Sequence, residues 1–406
     1  MFICIDKRAT GTKKHLVYCT DTSGLSWSDE IPLNAWVFSS ERASSIKEAL
    51  RISGDDIKEI FPDRFAVSFS ELQIDTKDLL IPMHMCMPTH VFKSSIQEFL
   101  RRSQSALESL ESTGYIQTLM ANQKVLLALT RSIVDENKIK RYIQESSSGP
   151  SVVSALKSFI PEKDGFCKLA KYSLSKTVTG RMIVDTGPSI LTLSSKYRDI
   201  LKSRYQDGKI VQVDFVSLEP RVCRFVAGGT AKSDIYNDVA NFIFSGEQER
   251  KTVKLAVLCA IYGVSIKRLA NLLGSESESR RIVREVRKYF SVAELERNLK
   301  GQLLTHKKIS NYFGRPLQTD AFESHVLVSH FIQSTSVDVA MSGFEVIISK
   351  TRTKNIKPLF LIHDAIIFDV DAEGFEYIKN VAEQGIDLDM GHFPTSLEII
   401  SSQDNI

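Results

Sequence analysis

No apolar stretch among the 406 residues approaches the roughly 18 needed to cross a bilayer, and the opening Met1-Phe2-Ile3-Cys4 has none of the character of a signal peptide. Neither a membrane span nor a secreted product is expected. Cysteine is sparse: Cys4, Cys19, Cys86, Cys167, Cys223 and Cys259 are scattered, with no Cys-x-x-Cys pair. That argues against a disulfide framework or a zinc site and fits reduced core thiols in a cytoplasmic protein. A surplus of one charge sign is also nearly missing, with a net charge of +3. Bulk charge therefore neither demonstrates a nucleic-acid partner nor excludes one, because a phosphate-tracking groove occupies only part of a surface. No internal repeat and no long low-complexity tract interrupts the chain, and residues 1–90 contain no Asp-x-Glu pair.

What remains is an ordinary globular composition, 43% hydrophobic and 25% charged, long enough for two to four subdomains. Residues 1–90 read as mixed structure with short alternating runs such as Lys14-His15-Leu16-Val17-Tyr18. From Ser94 to about Gln144 the pattern is helical, with one run carrying Ile96, Leu100, Leu107 and Leu110 and a second extending from Tyr115 to Tyr142. The segment Ser146-Ser147-Ser148-Gly149-Pro150-Ser151 breaks it. From Phe166 onward strand-like and helical segments alternate, which predicts an α+β or α/β body.

Two acids stand where apolar residues are expected. Asp214 ends the run Ile210-Val211-Gln212-Val213, and Asp364 interrupts Leu359-Phe360-Leu361-Ile362 and Ile366-Ile367-Phe368, which read as two strands of a tight hairpin. A carboxylate desolvated this way is costly unless it meets a cation. Two of them on adjacent strands suit hard divalent ions and in-line phosphoryl transfer. Taken singly, each also fits a strand end or a turn.

Arg250 to Tyr262 predicts a helix free of Gly and Pro. Arg250, Lys254, Leu258 and Tyr262 recur every fourth residue, so each advances about 400° and drifts only about 40° from the last. One stripe thus runs from two cations through an apolar residue to an aromatic ring. It suits a nucleoside triphosphate, phosphates on the cations and base beside the ring. An amphipathic helix with solvated cations would show the same spacing.

In order along the chain, Thr177-Val178-Thr179-Gly180-Arg181, Val213-Asp214-Phe215-Val216-Ser217-Leu218-Glu219-Pro220-Arg221, Arg250 to Gly263, Gly314-Arg315, Gln333-Ser334-Thr335-Ser336-Val337-Asp338 and Ile362-His363-Asp364 resemble the conserved segments of family A DNA polymerases. The third and sixth are similar to that family's nucleotide-binding helix and its last metal-binding motif. The resemblance implies an α+β right-hand fold: a palm on an antiparallel sheet, helical fingers, a helical thumb and a small mixed N-terminal region. It divides the chain into residues 1–90 (no assigned role), 91–165 (thumb), 166–221 (palm), 222–315 (fingers) and 316–406 (palm).

The implied function is template-directed addition of dNTPs to a primer 3′ end. Two Mg²⁺ ions, replaceable by Mn²⁺, would sit on Asp214, Asp364 and the Phe215 carbonyl. Arg250 and Lys254 would bind the triphosphate, with Lys254 also the proton donor to pyrophosphate; Leu258, Tyr262 and Tyr236 would complete the nucleotide pocket. Glu219 would fill the space of a ribose 2′-hydroxyl. Arg181, Arg221, Gln333 and His363 would touch primer–template DNA. Residues 1–90 are short for a proofreading exonuclease, so proofreading is expected to be missing. A phage or accessory enzyme of replication or repair, working in the cytoplasm, at a nucleoid or at a viral replication site, fits this picture, with room for a processivity or replisome partner. The competing expectations are a single-subunit RNA polymerase, against which Glu219 speaks, and a weakly catalytic DNA-binding scaffold.

The segments also depart from the family pattern. Ala365 stands where a further acid usually follows Asp364, implying slower or metal-sensitive catalysis. Leu258 replaces an aromatic ring, implying altered handling of dideoxynucleotides. Ser329 and His325 stand where Asn and Arg usually precede Gln333, and the Asn and Gln usual after Arg181 are not found in Ile183-Val184-Asp185-Thr186-Gly187-Pro188-Ser189. Fidelity should be relaxed as a result.

Overall fold

The computed structural model describes residues 1–39, 45–57, 60–62, 65, 82–145, 149–231, 234–244, 249–263 and 265–402. Ser146-Ser147-Ser148, the expected break, lies outside them. The chain forms two compact units, Met1–Leu127 with Ser173–Lys176, and Ala128–Tyr172 with Thr177–Ile406. Among the described residues no helix is long and apolar enough to cross a membrane.

The first unit holds four strands, β1 (Phe2–Ile5), β2 (His15–Cys19), β3 (Gly24–Ser28) and β4 (Trp36–Phe38), in the order β3-β2-β1-β4. All neighbours are antiparallel except β1 and β4. Period-2 alternation puts Ile3, Ile5 and Leu16 on one buried face. Helices α1 (Ser45–Ile52), α2 (Thr89–Ser112) and α3 (Ile116–Ala128) belong to the same unit. Glu48 on α1 is buried and accepts from Ser173 Oγ at 2.8 Å and Leu174 N at 2.9 Å, which holds the returning segment.

The second helical run is not one helix. After α3 the chain is extended at Ile133–Val134, which pairs with Leu201–Lys202, and then forms α4 (Glu136–Glu145). The β-branched Thr130, Ile133 and Val134 favour that conformation, and Thr130 N donates to the Pro358 carbonyl at 2.8 Å. Helix α5 (Pro150–Lys157) follows, with Pro150 in its first turn.

The rest of the second unit is built on β5 (Lys209–Phe215), followed by helices α6 (Leu218–Val226), α7 (Ile235–Phe244), α8 (Arg250–Tyr262), α9 (Ile266–Leu273), α10 (Glu276–Tyr289) and α11 (Val292–His306). Then come the long α12 (Ser324–Thr351), the hairpin β6 (Ile356–Ile362) and β7 (Ala365–Val370), α13 (Ala372–Gln384) and β8 (Thr395–Ser402). The sheet order is β6-β7-β5-β8, antiparallel throughout. Ile210, Val211, Val213, Ile366, Ile367 and Phe368 are all buried, so the central strands read as apolar runs, broken near Asp214 and at the buried Asp369, which pairs with Arg204 at 2.7 Å. Packing of α12 on the sheet is close. A Cβ on Gly343 would lie 2.3 Å from the Phe215 ring, which also meets Phe344 and Phe393. Helix α8 packs against α7, α9, α10 and α12.

Candidate active site

The antiparallel register fixes the two acids. Asp214, one residue from the end of β5, lies opposite Ala365 on β7 and Ser396 on β8. Asp364 is the second residue of the two-residue turn between Ile362 and Ala365, which pair directly. The first turn residue, His363, adopts a left-handed φ of 54°. Histidine tolerates that region better than β-branched residues do. Phe215 N donates to the Asp364 carbonyl at 3.2 Å, tying the turn to the end of β5. The expected hairpin is therefore present, with both acids at the same end of the sheet.

Their electrostatics are unfavourable. Asp214 Oδ1 is buried and has no hydrogen-bond partner among the described residues. Burial, then the charges of Asp364 and Glu398, push the Asp214 carboxyl up to about 7. Burial and, more weakly, Glu219 likewise raise Asp364. Two desolvated carboxylates that repel one another make a site short of positive charge.

A cleft of about 340 Å³ opens beside Asp364, lined among others by Arg181, Glu219, Gln333, Ser336 and His363. Glu219, in the first turn of α6, is held at both oxygens. It accepts from Arg181 Nη2 at 2.8 Å and from the Tyr262 hydroxyl at 2.5 Å. Burial and the Glu219 charge raise the Tyr262 phenol, so it stays a donor.

Tyr262 is the last residue of α8, which begins and ends where its sequence predicts and is closed by Gly263 with a left-handed φ of 65°. Arg250 and Lys254 are exposed, and Leu258 and Tyr262 are partly buried. Val253, Ala256, Val257, Ala260 and Ile261 fill the buried side. Arg250 is held by the Asp234 carboxylate at 2.9 Å and lies over the Tyr236 ring, 4.9 Å from its centroid. Tyr236 is itself buried. Lys254 has no ion-pair or hydrogen-bond partner among the described residues.

Two further expected segments meet through a glycine. Gly180 has a left-handed φ of 73°, and a Cβ there would lie 2.5 Å from a guanidinium nitrogen of the buried Arg315. Asn311 donates to Asp338 at 2.7 Å and to Ser334 at 3.1 Å, and accepts from Arg315 N. Gln333 faces the cleft and donates to Ser329 Oγ at 3.0 Å.

One expected contact is corrected. Arg221 is 4% exposed and donates to the Val216 and Ala231 carbonyls at 3.1 and 2.7 Å. Its guanidinium braces the turn after β5 from within and does not face a nucleic acid. Three residues of the site escaped the sequence reading. Asp234 holds Arg250, Ser336 presents a buried hydroxyl without a partner, and Arg198 donates to Gln212 at 3.0 Å on the Asp214 face of the sheet. No local pattern marks Asp234, whose role depends on a partner sixteen residues away.

The family model for DNA polymerase family A matches residues 93–399. No curated protein matches the sequence. Among solved structures, the POL domain of Pol1 from M. smegmatis, in complex with DNA primer–template and dNTP, superposes with a TM-score of 0.64. It does so at 13% identity over 98% of this chain and 95% of that one. At that identity the likeness is one of fold, and it agrees with the α+β right-hand architecture. The family match spans about three quarters of the sequence, and the chain belongs to DNA polymerase family A.

Proposed function

We propose that this DNA-directed DNA polymerase adds dNTPs to the 3′ end of a primer–template through Asp214, Asp364 and the stripe on α8. The observation that carries the reading is Glu219. Tyr262 binds it at the end of the stripe, its charge acts on Asp364, and it lines the same cleft as Asp364, so it links the nucleotide helix to the acid pair.

Family A polymerases use divalent metal ions, and the acid pair suits them: a buried carboxylate oxygen without a partner, and two carboxyls raised by burial and repulsion. Asp214, Asp364 and the Phe215 carbonyl are the groups that would hold two Mg²⁺ ions, or Mn²⁺ in their place. Bound there, they would neutralise carboxylate and phosphate charge. This chain's residues do the rest. Arg250, pre-oriented by Asp234, and the exposed Lys254 bind the triphosphate. The primer 3′-hydroxyl releases its proton to solvent as its oxygen bonds to the α-phosphorus, the bond to pyrophosphate breaks, and Lys254 gives its proton to the departing pyrophosphate. Glu219, fixed at both oxygens, is a wall where a ribose 2′-hydroxyl would project. Leu258 and Tyr262 bound the nascent pair, with Tyr236 supporting Arg250 from below. Arg181, Gln333 and His363 line the cleft where the primer end would lie.

The reading includes polymerisation without proofreading, supported by residues 1–90, which lack an Asp-x-Glu pair. Extension of one primed template with Mg²⁺ tests both parts. The expected result is rapid extension with dNTPs, little with rNTPs, and no trimming of a mismatched primer end. A preference for rNTPs would overturn the first part, and excision of the mismatch the second.

A further inference from the structure

None of the groups assigned to the reaction belongs to the first unit, which carries an apolar groove of its own. Helix α3 supplies one wall. Leu119, Asn122 and Leu126 fall on its core side and are buried, whereas Met120, Gln123, Lys124 and Leu127, spaced three and four residues apart, share another side. The loop of residues 31–35 and strand β4 supply the other wall, and the space between is about 270 Å³. Leu33 in the loop is 92% exposed and Leu127 on the helix 61% exposed, so each wall presents a bare apolar side chain. The buried Trp36 of β4 also lines the groove. Gln123 is the anomaly. It is 5% exposed, yet neither its amide nitrogen nor its amide oxygen has a hydrogen-bond partner among the described residues. A buried amide left unpaired is costly, so Gln123 suits a ligand that offers an acceptor and a donor together. Lys124 beside it is exposed, without an ion-pair partner among the described residues, and carries the sole charge among the described residues lining the groove.

We infer that this groove docks an extended segment of a partner protein, with apolar side chains between Leu33 and Leu127, a main-chain amide on Gln123 and an acidic side chain on Lys124. A peptide unit offers the acceptor and the donor that Gln123 lacks. The segment is extended because a helix spends its main-chain groups internally and would leave Gln123 unpaired. It does not add a strand to the sheet. Strand β4 is an edge, but Val37 N already donates to Ser45 Oγ at 2.7 Å, so side chains and not a ladder hold the segment. The single lysine among apolar residues suits one acid and not the repeating charge of a nucleic acid.

The test presents the full chain to a displayed library of random peptides about 12 residues long. Selected peptides should carry apolar residues at alternate positions, as one face of an extended chain presents them, with Asp or Glu beside them. Synthesised and labelled, they should bind wild-type protein in a fluorescence-anisotropy titration. Gln123→Leu should weaken that binding about 10-fold, yet melt no lower than the wild type, since it removes an unpaired buried amide. Lys124→Glu should weaken it by about the same factor, and replacing the acid of the peptide by Lys should restore it. Primer extension should be unchanged in both variants. Selection of no peptide, selection of peptides whose affinity both variants leave unaltered, or melting of Gln123→Leu well below the wild type would overturn the inference. So would a wild-type dimer in sedimentation that Leu33→Ser/Leu127→Ser disperses, since the groove would then belong to a second copy of the chain.

Discussion

The two halves of the active site are charged oppositely and built differently. The acid half is strand-borne: Asp214 and Asp364 are fixed by register, a two-residue turn and a backbone hydrogen bond, and burial holds both carboxyls above the usual range. The cation half is helix-borne: Arg250 and Lys254 are exposed, one anchored by Asp234 and the other without a partner among the described residues. The sheet carries an unfavourable charge arrangement that bound cations or protonation would relieve, whereas the helix offers solvated charges at little cost. The acid half should therefore respond to pH, metal and small changes in charge, and the helix half mainly to the nucleotide. Glu219, gripped by Arg181 and Tyr262, joins them.

The predictions follow that contrast, from the largest effect down. Asp364→Asn removes half of the charge that would hold the ions and should lower single-turnover extension by about 1000-fold or more, while duplex affinity in a binding titration stays within a few-fold. Lys254→Ala should lower the maximal extension rate by about 100-fold in single-turnover extension. An unchanged rate with a raised KM would reduce Lys254 to an anchor. Glu219→Ala should relax discrimination against rNTPs by about 10-fold or more, read from the ratio of kcat/KM for the two nucleotide types. It should also weaken the seating of Tyr262, since one mutation removes the acceptor of both hydrogen bonds. Arg250→Ala, the mildest, should raise KM for dNTPs about 10-fold, about 1.4 kcal/mol, with little change in rate.

Much of the acid half was legible in the sequence because its information is local. An apolar run ending in Asp214, and another interrupted at His363-Asp364, could hardly fold without placing costly carboxylates at strand ends. The helix was legible for the same reason. Its buried and exposed faces follow from periodicity, and Gly263 marks its end. What escaped depends on partners distant in sequence. Arg221 has the same chemistry as Arg181, and only the fold decides that one braces carbonyls inside while the other reaches Glu219 across the cleft. The helical pattern from Tyr115 to Tyr142 hid a two-residue strand, because its pairing partner is Leu201–Lys202. The grip of Glu48 on Ser173 and Leu174, which returns a four-residue segment to the first unit, leaves no local mark.

The most direct test of the contrast is one Asp214→Asn protein measured in two ways, by primer extension with Mg²⁺ and by melting without metal. In the folded chain the Asp214 carboxyl titrates near 7 against an ordinary value of 3.8, so its ionisation costs stability. That cost is complete above about pH 7 and fades as pH falls from there toward 3.8. The variant should not extend the primer, yet should melt above the wild type at about pH 8, with the gap closing as the pH is lowered to about 4. A variant that extends at the wild-type rate, or that melts below the wild type at about pH 8, would contradict the account of a buried acid pair kept for cations.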